Sequence, residues 1–215
     1  MRGFTPNWAL RTQGLLALCG TLALSACASK YAQVPPRLQL EPYGRVALVT
    51  FSGENARGTL NKRATQQFAE ELLASQSGVE VLELDARDSA LRGLSVDGDA
   101  AAFAQALGKR KNVAAVFVGH LKVSDVKPRG RLSSPTDIQV GATVSAELTV
   151  RLLSTRTGGT VWRSSATSNG SVGNVSLAGG LPSVSVRDPE EAYSDVVNET
   201  VMYVTRDLRP TWVKQ

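Results

Sequence analysis

Two uninterrupted apolar segments of strand length restrict most strongly how this chain can fold. The first is RVALVTF at residues 45–51, and the second is VAAVFVGHLKV at residues 113–123, which is apolar at first and alternates later. Such segments are typical of strands buried on both faces of a sheet, because an exposed face would place polar residues at every second position. We therefore expect a sheet with helices packed against both of its faces.

The sequence between these two segments has the spacing of helices joined by a strand. Apolar residues recur at every fourth position from Leu60 to Leu72 and predict a helix over residues 61–75. Residues 79–84 form a second segment of strand length, and Asp99 is a candidate N-cap for the next helix. Alternation of strands and helices in this order predicts parallel strands with helical crossovers.

The second half of the chain has a different period. Residues 144–152 alternate between apolar and polar side chains, which predicts an antiparallel strand with one wet face, and residues 160–164 return as its hairpin partner. Residues 168–183 are rich in glycine and serine and are predicted to form a loop. Asp188 and Pro189 open a final helix. The fold class is therefore α/β: a single small domain with a mixed sheet of about five strands, an antiparallel C-terminal hairpin and about three helices.

The N-terminus has the composition of an export signal. Arg2 and Arg11 accompany an apolar run of about a dozen residues, which is shorter than the roughly 20 residues that a membrane-spanning helix needs. The run ends in the sequence LSAC, whose last residue is Cys27. The small side chains of Ser25 and Ala26 before this cysteine let an extended backbone enter a peptidase cleft.

The sequence LSAC resembles the lipobox of bacterial lipoproteins, in which the cysteine receives a diacylglycerol and becomes the new N-terminus. The resemblance implies that residues 1–26 are a signal peptide that is removed and that Cys27 is lipidated. It also implies delivery to the outer membrane, because Ala28 rather than an aspartate follows the cysteine. Residues 27–43, which contain three prolines, are then predicted to be a tether, and residues 44–215 a periplasmic domain.

The composition argues against a nucleic-acid partner and against stabilisation of the fold by a disulfide bond. The net charge is +5 and 20% of the residues are charged, with no lysine- and arginine-rich run that contains aromatic residues. We therefore expect no nucleic-acid partner. Cys19 leaves with the signal peptide and Cys27 is modified, so the mature fold does not rely on a disulfide.

The sequence contains few signs of catalytic or metal chemistry. His120 is the single histidine, and no metal-binding, nucleophile-elbow or phosphate-loop motif occurs. Asp85, Asp88, Asp97 and Asp99 lie close together in sequence, but their spacing does not match a calcium loop, and we interpret them as loop residues and helix caps. We predict no metal, no cofactor and no enzyme activity. A hydrolase with perturbed carboxylates in a pocket around these aspartates is an open alternative.

The segment VSAELTVRLLSTRTGGTVWRS at residues 144–164, with VALVTF, AVFVG and a final helix, resembles a group of bacterial envelope proteins. The group includes the curli secretion lipoprotein CsgG, LpoB and the N-terminal domain of TolB, and the resemblance spans about residues 44–208. It implies a small α/β adaptor or assembly module without catalytic residues. CsgG-like proteins insert two hairpins from each subunit into the outer membrane. These would fall at residues 124–146 and 164–183, which are polar and interrupted.

These observations predict an outer-membrane lipoprotein that acts as a non-catalytic binding or assembly module of the cell envelope. Its partners are the membrane, through the lipid, and another envelope protein, and homo-oligomerisation is open. The alternative is an oligomeric secretion or transport-pore subunit. Candidate binding loops are residues 52–58 and 168–183, because loops on a rigid sheet are common contact sites. Their candidate residues are Glu54, Asn55 and Arg57 in the first loop and Asn169, Asn174 and Leu177 in the second.

Overall fold

The computed structural model describes residues 31–56, 58–85, 87–96, 98–134, 137–178, 181–186 and 189–214. The strands in these ranges are β1 (Tyr31–Val34), β2 (Arg45–Val49), β3 (Ser52–Glu54), β4 (Glu80–Leu84), β5 (Ala115–Val123), β6 (Lys127–Ser134), β7 (Asp137–Ser154), β8 (Thr160–Ala178), β9 (Leu181–Val186) and β10 (Thr211–Lys214). The helices are α1 (Leu60–Ser75), α2 (Ala100–Lys111) and α3 (Pro189–Val204). None of the helices in the described part of the chain has the length and apolar character needed to cross a membrane.

The described strands belong to two units. Strands β1 and β10 pair with each other as a two-stranded antiparallel sheet. The unit Pro35–Pro210 contains a mixed sheet with the strand order β4-β2-β5-β7-β8-β9, in which β3 also pairs with β5 and β6 also pairs with β7. Strand β2 is parallel to β4 and β5, whereas β5, β7, β8 and β9 are antiparallel in succession. The predicted α/β class with a mixed sheet and three helices is confirmed.

The connections of the parallel strands place helices on opposite faces of this sheet. The chain moves from β2 to β4 through α1, and then passes back across β2 to reach β5 through α2. Because crossovers between parallel strands are right-handed, a reversal of direction puts the second helix on the other face. Helix α1 packs together with α3 in one core, and α2 packs in a separate core.

Aromatic side chains form the centre of the core between the sheet and the helices α1 and α3. The rings of Phe51, Phe68, Phe117 and Trp162 follow one another edge to face, with centroid distances of 5.4, 5.3 and 6.1 Å. Edge-to-face pairs contribute about 0.5–1.5 kcal/mol beyond the area that they bury. These contacts join β5 and β8 to α1, and they hold the middle of the sheet in a defined position.

Helix α2 covers part of the opposite face. Its N-cap is Asp99, as the sequence predicts, and Asp99 Oδ1 accepts hydrogen bonds from the backbone N–H groups of Ala101 and Ala102 at 2.9 and 3.0 Å. Phe103 and Leu107 of this helix are buried against strand residues that include Val116. The buried cluster on this face extends along β7 only to Leu153, so the neighbouring part of β7 and β8 keeps a polar surface.

The prediction of a loop over residues 168–183 is wrong. Strand β8 continues to Ala178, and β9 follows as its antiparallel partner. Strand β8 pairs with β7 as far as Leu177 and with β9 from Gly173 to Ala178. These hydrogen bonds satisfy the backbone, so the segment forms a strand despite its low strand propensity. Gly170 is also required by packing, because a Cβ atom there would collide with Cγ2 of Val196 on α3.

Two further polar, proline-containing segments contribute to the described structure. Residues 127–131 are polar and interrupted in sequence, yet they lie in β6, where Pro128 is tolerated because its strand pairs with β7 alone in the described sheet. The predicted tether over residues 27–43 overlaps the unit that begins at Pro35, and Leu40 is fully buried. Composition did not reveal that residues 35–43 belong to the folded unit, because a few buried apolar residues such as Leu40 suffice to dock a short segment.

Candidate functional site

A cleft with a volume of about 500 Å³ opens on the α2 face of the sheet. It is lined by an apolar set of residues from β2, β5, α2 and the segment between β4 and α2. A polar set comes from the strands, from Thr50 after β2 and from the same segment. The apolar set is Val49, Leu91, Leu94, Val96, Phe103 and Val118, and the polar set is Thr50, Ser52, Ser95, His120, Thr149, Arg151 and Arg163, with Gly119 between them. No carboxylate of the described residues lines this cleft.

The position of the cleft follows from the topology of the sheet. Strand β2 ends at Val49, and the chain leaves it toward β4 on one side while β5 lies on the other. The carboxyl ends of parallel strands at such a reversal of strand order are the usual position of ligand sites in α/β sheets, because the connections diverge there and leave a crevice. Thr50 and His120 lie at this point.

The wall of the cleft between β4 and α2 is held by charged side chains. Asp88 accepts a hydrogen bond of 2.7 Å from the backbone N–H of Ala90 and forms an ion pair of 3.1 Å with Lys111. Arg110 Nη1 donates to the carbonyl oxygens of Ala90 and Arg92 at 2.7 and 3.0 Å. The basic end of α2 therefore fixes the segment that carries the apolar lining residues.

The cluster of aspartates does not converge on a common point. Asp85 Oδ1 accepts from the backbone N–H of Arg87 at 3.0 Å, and Asp88 and Asp99 cap helical turns. The pKa of Asp88 is lowered mainly by the N–H of Ala90 and then by Lys111. Asp97 lies outside the described residues, and no group of three metal-ligating side chains occurs among those that are described.

Two arginines face each other across the strands at the cleft. Arg151 on β7 and Arg163 on β8 are direct partners in the antiparallel register. In the part of the chain that the structure describes, neither guanidinium forms an ion pair with a carboxylate. Like charges directly opposite on neighbouring strands are destabilising, so this pair lowers the stability of the protein.

A polar network forms the adjacent edge of the cleft. Ser52 Oγ lies 2.9 Å from His120 Nδ1, and His120 Nε2 lies 3.6 Å from a carboxylate oxygen of Glu54. The other oxygen of Glu54 pairs with Lys122 at 3.0 Å. The hydrogen bond and charge of Lys122 lower the pKa of Glu54, and Glu54 in turn raises the pKa of Lys122.

This network differs from a hydrolytic triad in two respects. The carboxylate of Glu54 is about half exposed and is shared with Lys122, so it neither belongs to the histidine alone nor is shielded from water. Ser52 Oγ also lies 3.3 Å from the carbonyl oxygen of Gly119, which competes for its proton. In a triad the acid is buried and orients the histidine toward the nucleophile. The arrangement therefore supplies hydrogen-bonding groups at the edge of the cleft.

The structure separates the two sets of candidate binding residues. Glu54 belongs to the network beside the cleft, and Asn55 follows it in a left-handed turn with a φ of 56°. Asn169 is exposed on β8 opposite Ser145. In the same register Asn174 and Leu177 of β8 stand opposite Gly141 and Ile138 of β7, while Arg57, Ala26 and Cys27 lie outside the described residues.

Sequence reasoning missed the arginine pair. Arg151 lies on the polar face of the alternating strand, and Arg163 lies on the return strand after the Gly158-Gly159 turn. Counting back from the turn, where Leu153 pairs with Thr160, would place Arg151 opposite Trp162. The register shift between Leu152 and Leu153 brings Arg151 opposite Arg163 instead, so the sequence offered no signal for this pair.

Comparisons with known proteins give structural likenesses at low sequence identity. No protein-family model and no curated protein matches the chain. Similar solved structures include the PelC dodecamer from Paraburkholderia phytofirmans, with 15% identity, coverage of 83% of this chain and 96% of that chain, and a TM-score of 0.42. Lipoprotein GNA1162 from Neisseria meningitidis has 16% identity, coverage of 60% and 83%, and a TM-score of 0.37.

The LpoB C-terminal domain from Salmonella enterica is also similar, with 13% identity, coverage of 68% of this chain and 90% of that chain, and a TM-score of 0.35. Bacterial lipoproteins, LpoB among them, are thus among the structures that resemble this chain.

Proposed function

We propose that this chain is a lipid-anchored, non-catalytic binding module of the bacterial envelope, attached to the outer membrane through Cys27 and facing the periplasm, where it binds another envelope protein. The observation that carries this proposal is the sheet of β1 and β10, which begins four residues after the lipobox cysteine. Tyr31, Trp212 and Val213 of this sheet are 55%, 64% and 46% exposed.

The short connection determines where this sheet would lie. Four extended residues span at most about 14 Å, so a lipidated Cys27 would hold Tyr31 close to the membrane surface. Tryptophan and tyrosine are enriched at the membrane–water interface, because their rings are apolar and carry a polar group. A two-stranded sheet is marginally stable alone in water, so contact with the membrane interface would also stabilise it.

The absence of an activated nucleophile among the described residues supports a non-catalytic role. Ser52 and His120 are in contact, but Glu54 is exposed and paired with Lys122. An exposed carboxylate in an ion pair gives the histidine little of the orientation that general-base catalysis needs. The polar edge and apolar lining of the cleft are instead suited to binding.

Replacement of the lipobox cysteine tests the anchor. We expect Cys27→Ser to abolish incorporation of labelled palmitate, leave the precursor uncleaved and remove the triacylated anchor. Membrane fractionation and the mass of the N-terminal peptide measure these effects. Cys19→Ser is the matched control, since Cys19 lies in the predicted signal peptide and should have no effect. A Cys27→Ser protein that is still processed and acylated would refute the proposal.

One observation favours a second candidate, an oligomeric secretion or transport subunit. Two regions of this chain would correspond to the CsgG-like hairpins, and both form paired strands. Strand β6 pairs with β7, and β8 pairs with β9. The native mass of the lipidated protein in mild detergent tests this candidate. A ring of many copies would support it, whereas a monomer or dimer would reject it and leave the binding module.

A further inference from the structure

We propose that the cleft binds a small amphipathic anion, whose carboxylate or phosphate group is held by Arg151 and Arg163 and whose apolar part lies against the apolar lining. This inference goes beyond the proposed function, because it assigns a ligand class to a site that is independent of the lipid anchor and of any protein partner. It rests on charge, on shape and on the polar groups beside the arginines.

Arg151 and Arg163 give the cleft its positive charge. The two guanidinium groups lie on directly opposed residues, and none of the described carboxylates forms an ion pair with either. Arginine presents a planar set of donors that matches a carboxylate or phosphate, often through two parallel hydrogen bonds. An anion between Arg151 and Arg163 would therefore replace a repulsion with two charge-assisted contacts.

The rest of the cleft has the size and lining of a site for a small ligand with an apolar part. Val49, Phe103 and Val118 are buried side chains that line it, and Leu94 and Val96 are half-buried in its wall. A volume of about 500 Å³ lies within the range of sites for small ligands, which combine an apolar lining with a few polar groups. Inorganic phosphate alone would leave this apolar surface in contact with water, so the ligand needs an apolar part.

Three side chains with hydrogen-bonding groups lie in the next row of the sheet. His120, Thr149 and Ser165 are successive partners on β5, β7 and β8, and Thr149 Oγ1 lies 2.8 Å from Ser165 Oγ. Two carboxylates lie near this row: Glu54, which is paired with Lys122, and Glu147, which stands opposite Lys122 two residues before Thr149 on β7. The row therefore adds donors and acceptors beside the arginines without adding an unpaired negative charge.

Binding of short amphiphiles to the full lipidated chain in zwitterionic nanodiscs tests the proposal. The probes are octanoate, octyl phosphate, inorganic phosphate and octyltrimethylammonium, measured by titration calorimetry with empty nanodiscs as the blank. We expect octanoate, octyl phosphate or both to bind, and the cation not to bind. Tighter binding of octanoate would indicate a carboxylate ligand, and tighter binding of octyl phosphate a phosphate ligand. Binding of the cation as tightly as the anions, or of inorganic phosphate as tightly as octyl phosphate, would overturn the proposal.

Substitution of each arginine tests whether the anionic group of the ligand binds there. Arg151→Gln and Arg163→Gln should each weaken binding of the anionic amphiphile by roughly 10- to 100-fold, the effect of losing a hydrogen bond to a charged group. Arg156→Gln is the matched control, because Arg156 is an exposed residue in the turn of the same hairpin and does not line the cleft. Unchanged affinity in both cleft variants would refute the assignment.

Thermal unfolding without ligand gives a second readout that does not depend on the choice of probe. Removal of one guanidinium relieves the repulsion between Arg151 and Arg163, so either cleft variant should raise the Tm by about 1–3 °C. Arg156→Gln should not raise it. A fall in the Tm of both cleft variants would show that the arginines stabilise the empty protein, which contradicts an unpaired anion site.

Discussion

Gln76 donates a hydrogen bond of 2.6 Å from its side-chain amide to the carbonyl oxygen of Leu208, 132 residues further along the chain. The same nitrogen donates to the carbonyl oxygen of Leu38 at 3.0 Å, and Gln76 Oε1 accepts from the N–H of Leu40 at 2.9 Å. One buried side chain therefore joins the two ends of the unit Pro35–Pro210 to the end of α1. Buried polar groups are almost always paired in this way.

Replacement of Gln76 by leucine should destabilise the fold strongly. The change leaves the carbonyl groups of Leu38 and Leu208 and the N–H of Leu40 without this partner, and each unsatisfied buried group costs about 1–3 kcal/mol. Because water can reach some of them after relaxation, we expect a loss of about 3 kcal/mol, measured by urea unfolding. Gln66→Leu, on the exposed side of α1, is the control. A loss below about 0.5 kcal/mol for Gln76→Leu would contradict this role.

A methyl group at position 119 should disturb the strand beside the cleft. A Cβ atom on Gly119 would lie 2.5 Å from Cδ1 of Phe51, whose ring is packed against Phe68. Overpacking of this kind typically costs about 1–3 kcal/mol, and Gly119→Ala should lower the Tm by several degrees. In Gly98→Ala the new Cβ atom meets no heavy atom within 4 Å, so its Tm should change little. Equal Tm values for the two variants would show that the Phe51 ring yields without cost.

Acidification should weaken the contacts by which Asp88 holds the segment between β4 and α2. The N–H of Ala90 and the ammonium group of Lys111 lower the pKa of Asp88 in the folded protein. The group therefore binds protons more readily when unfolded, and its contribution is complete above the ordinary aspartate pKa of about 3.9 and is lost as the pH falls through the lower folded value.

Asp88→Asn removes this contribution, so its stability deficit relative to the wild type should be present at pH 6 and shrink below pH 4. Urea unfolding across this range measures the effect. Glu70→Gln, an exposed change on α1, should show no such dependence. A deficit for Asp88→Asn that is independent of pH would mean that the carboxylate charge plays no part in holding the segment.

Trp212 should lie at the membrane interface if Cys27 is lipidated. Its side chain is 64% exposed, and its strand pairs with the strand that starts four residues after the cysteine. In vesicles that contain brominated lipids we expect quenching of the Trp212 emission of the lipidated protein, whereas Trp212→Phe should lose the quenched component. Trp162 is packed against Phe117 in the core and serves as the internal reference. Equal quenching in the wild type and in Trp212→Phe would contradict contact with the membrane.

Part of the site could be predicted from the sequence. Residues 52–58 were a candidate binding loop, and Glu54 does belong to the network beside the cleft, although residues 52–54 form β3 rather than a loop. The arginine pair was not predicted, since its members lie on different strands and meet only through the register of a hairpin that contains a shift. The hydrogen bonds of Gln76 could not be predicted either, because all three of its partners are backbone groups more than thirty residues away in sequence.

The sequence by itself determined the α/β class, the buried strands near residues 45–51 and 113–123, the helix over residues 61–75 and the cap at Asp99. These features depend on the period of apolar residues and on groups within a few positions along the chain. Only the tertiary structure decided that residues 168–178 and 181–183 lie in strands and that Arg151 stands opposite Arg163. A strand low in intrinsic propensity forms when neighbours on both sides satisfy its backbone, and that pairing joins residues far apart in sequence.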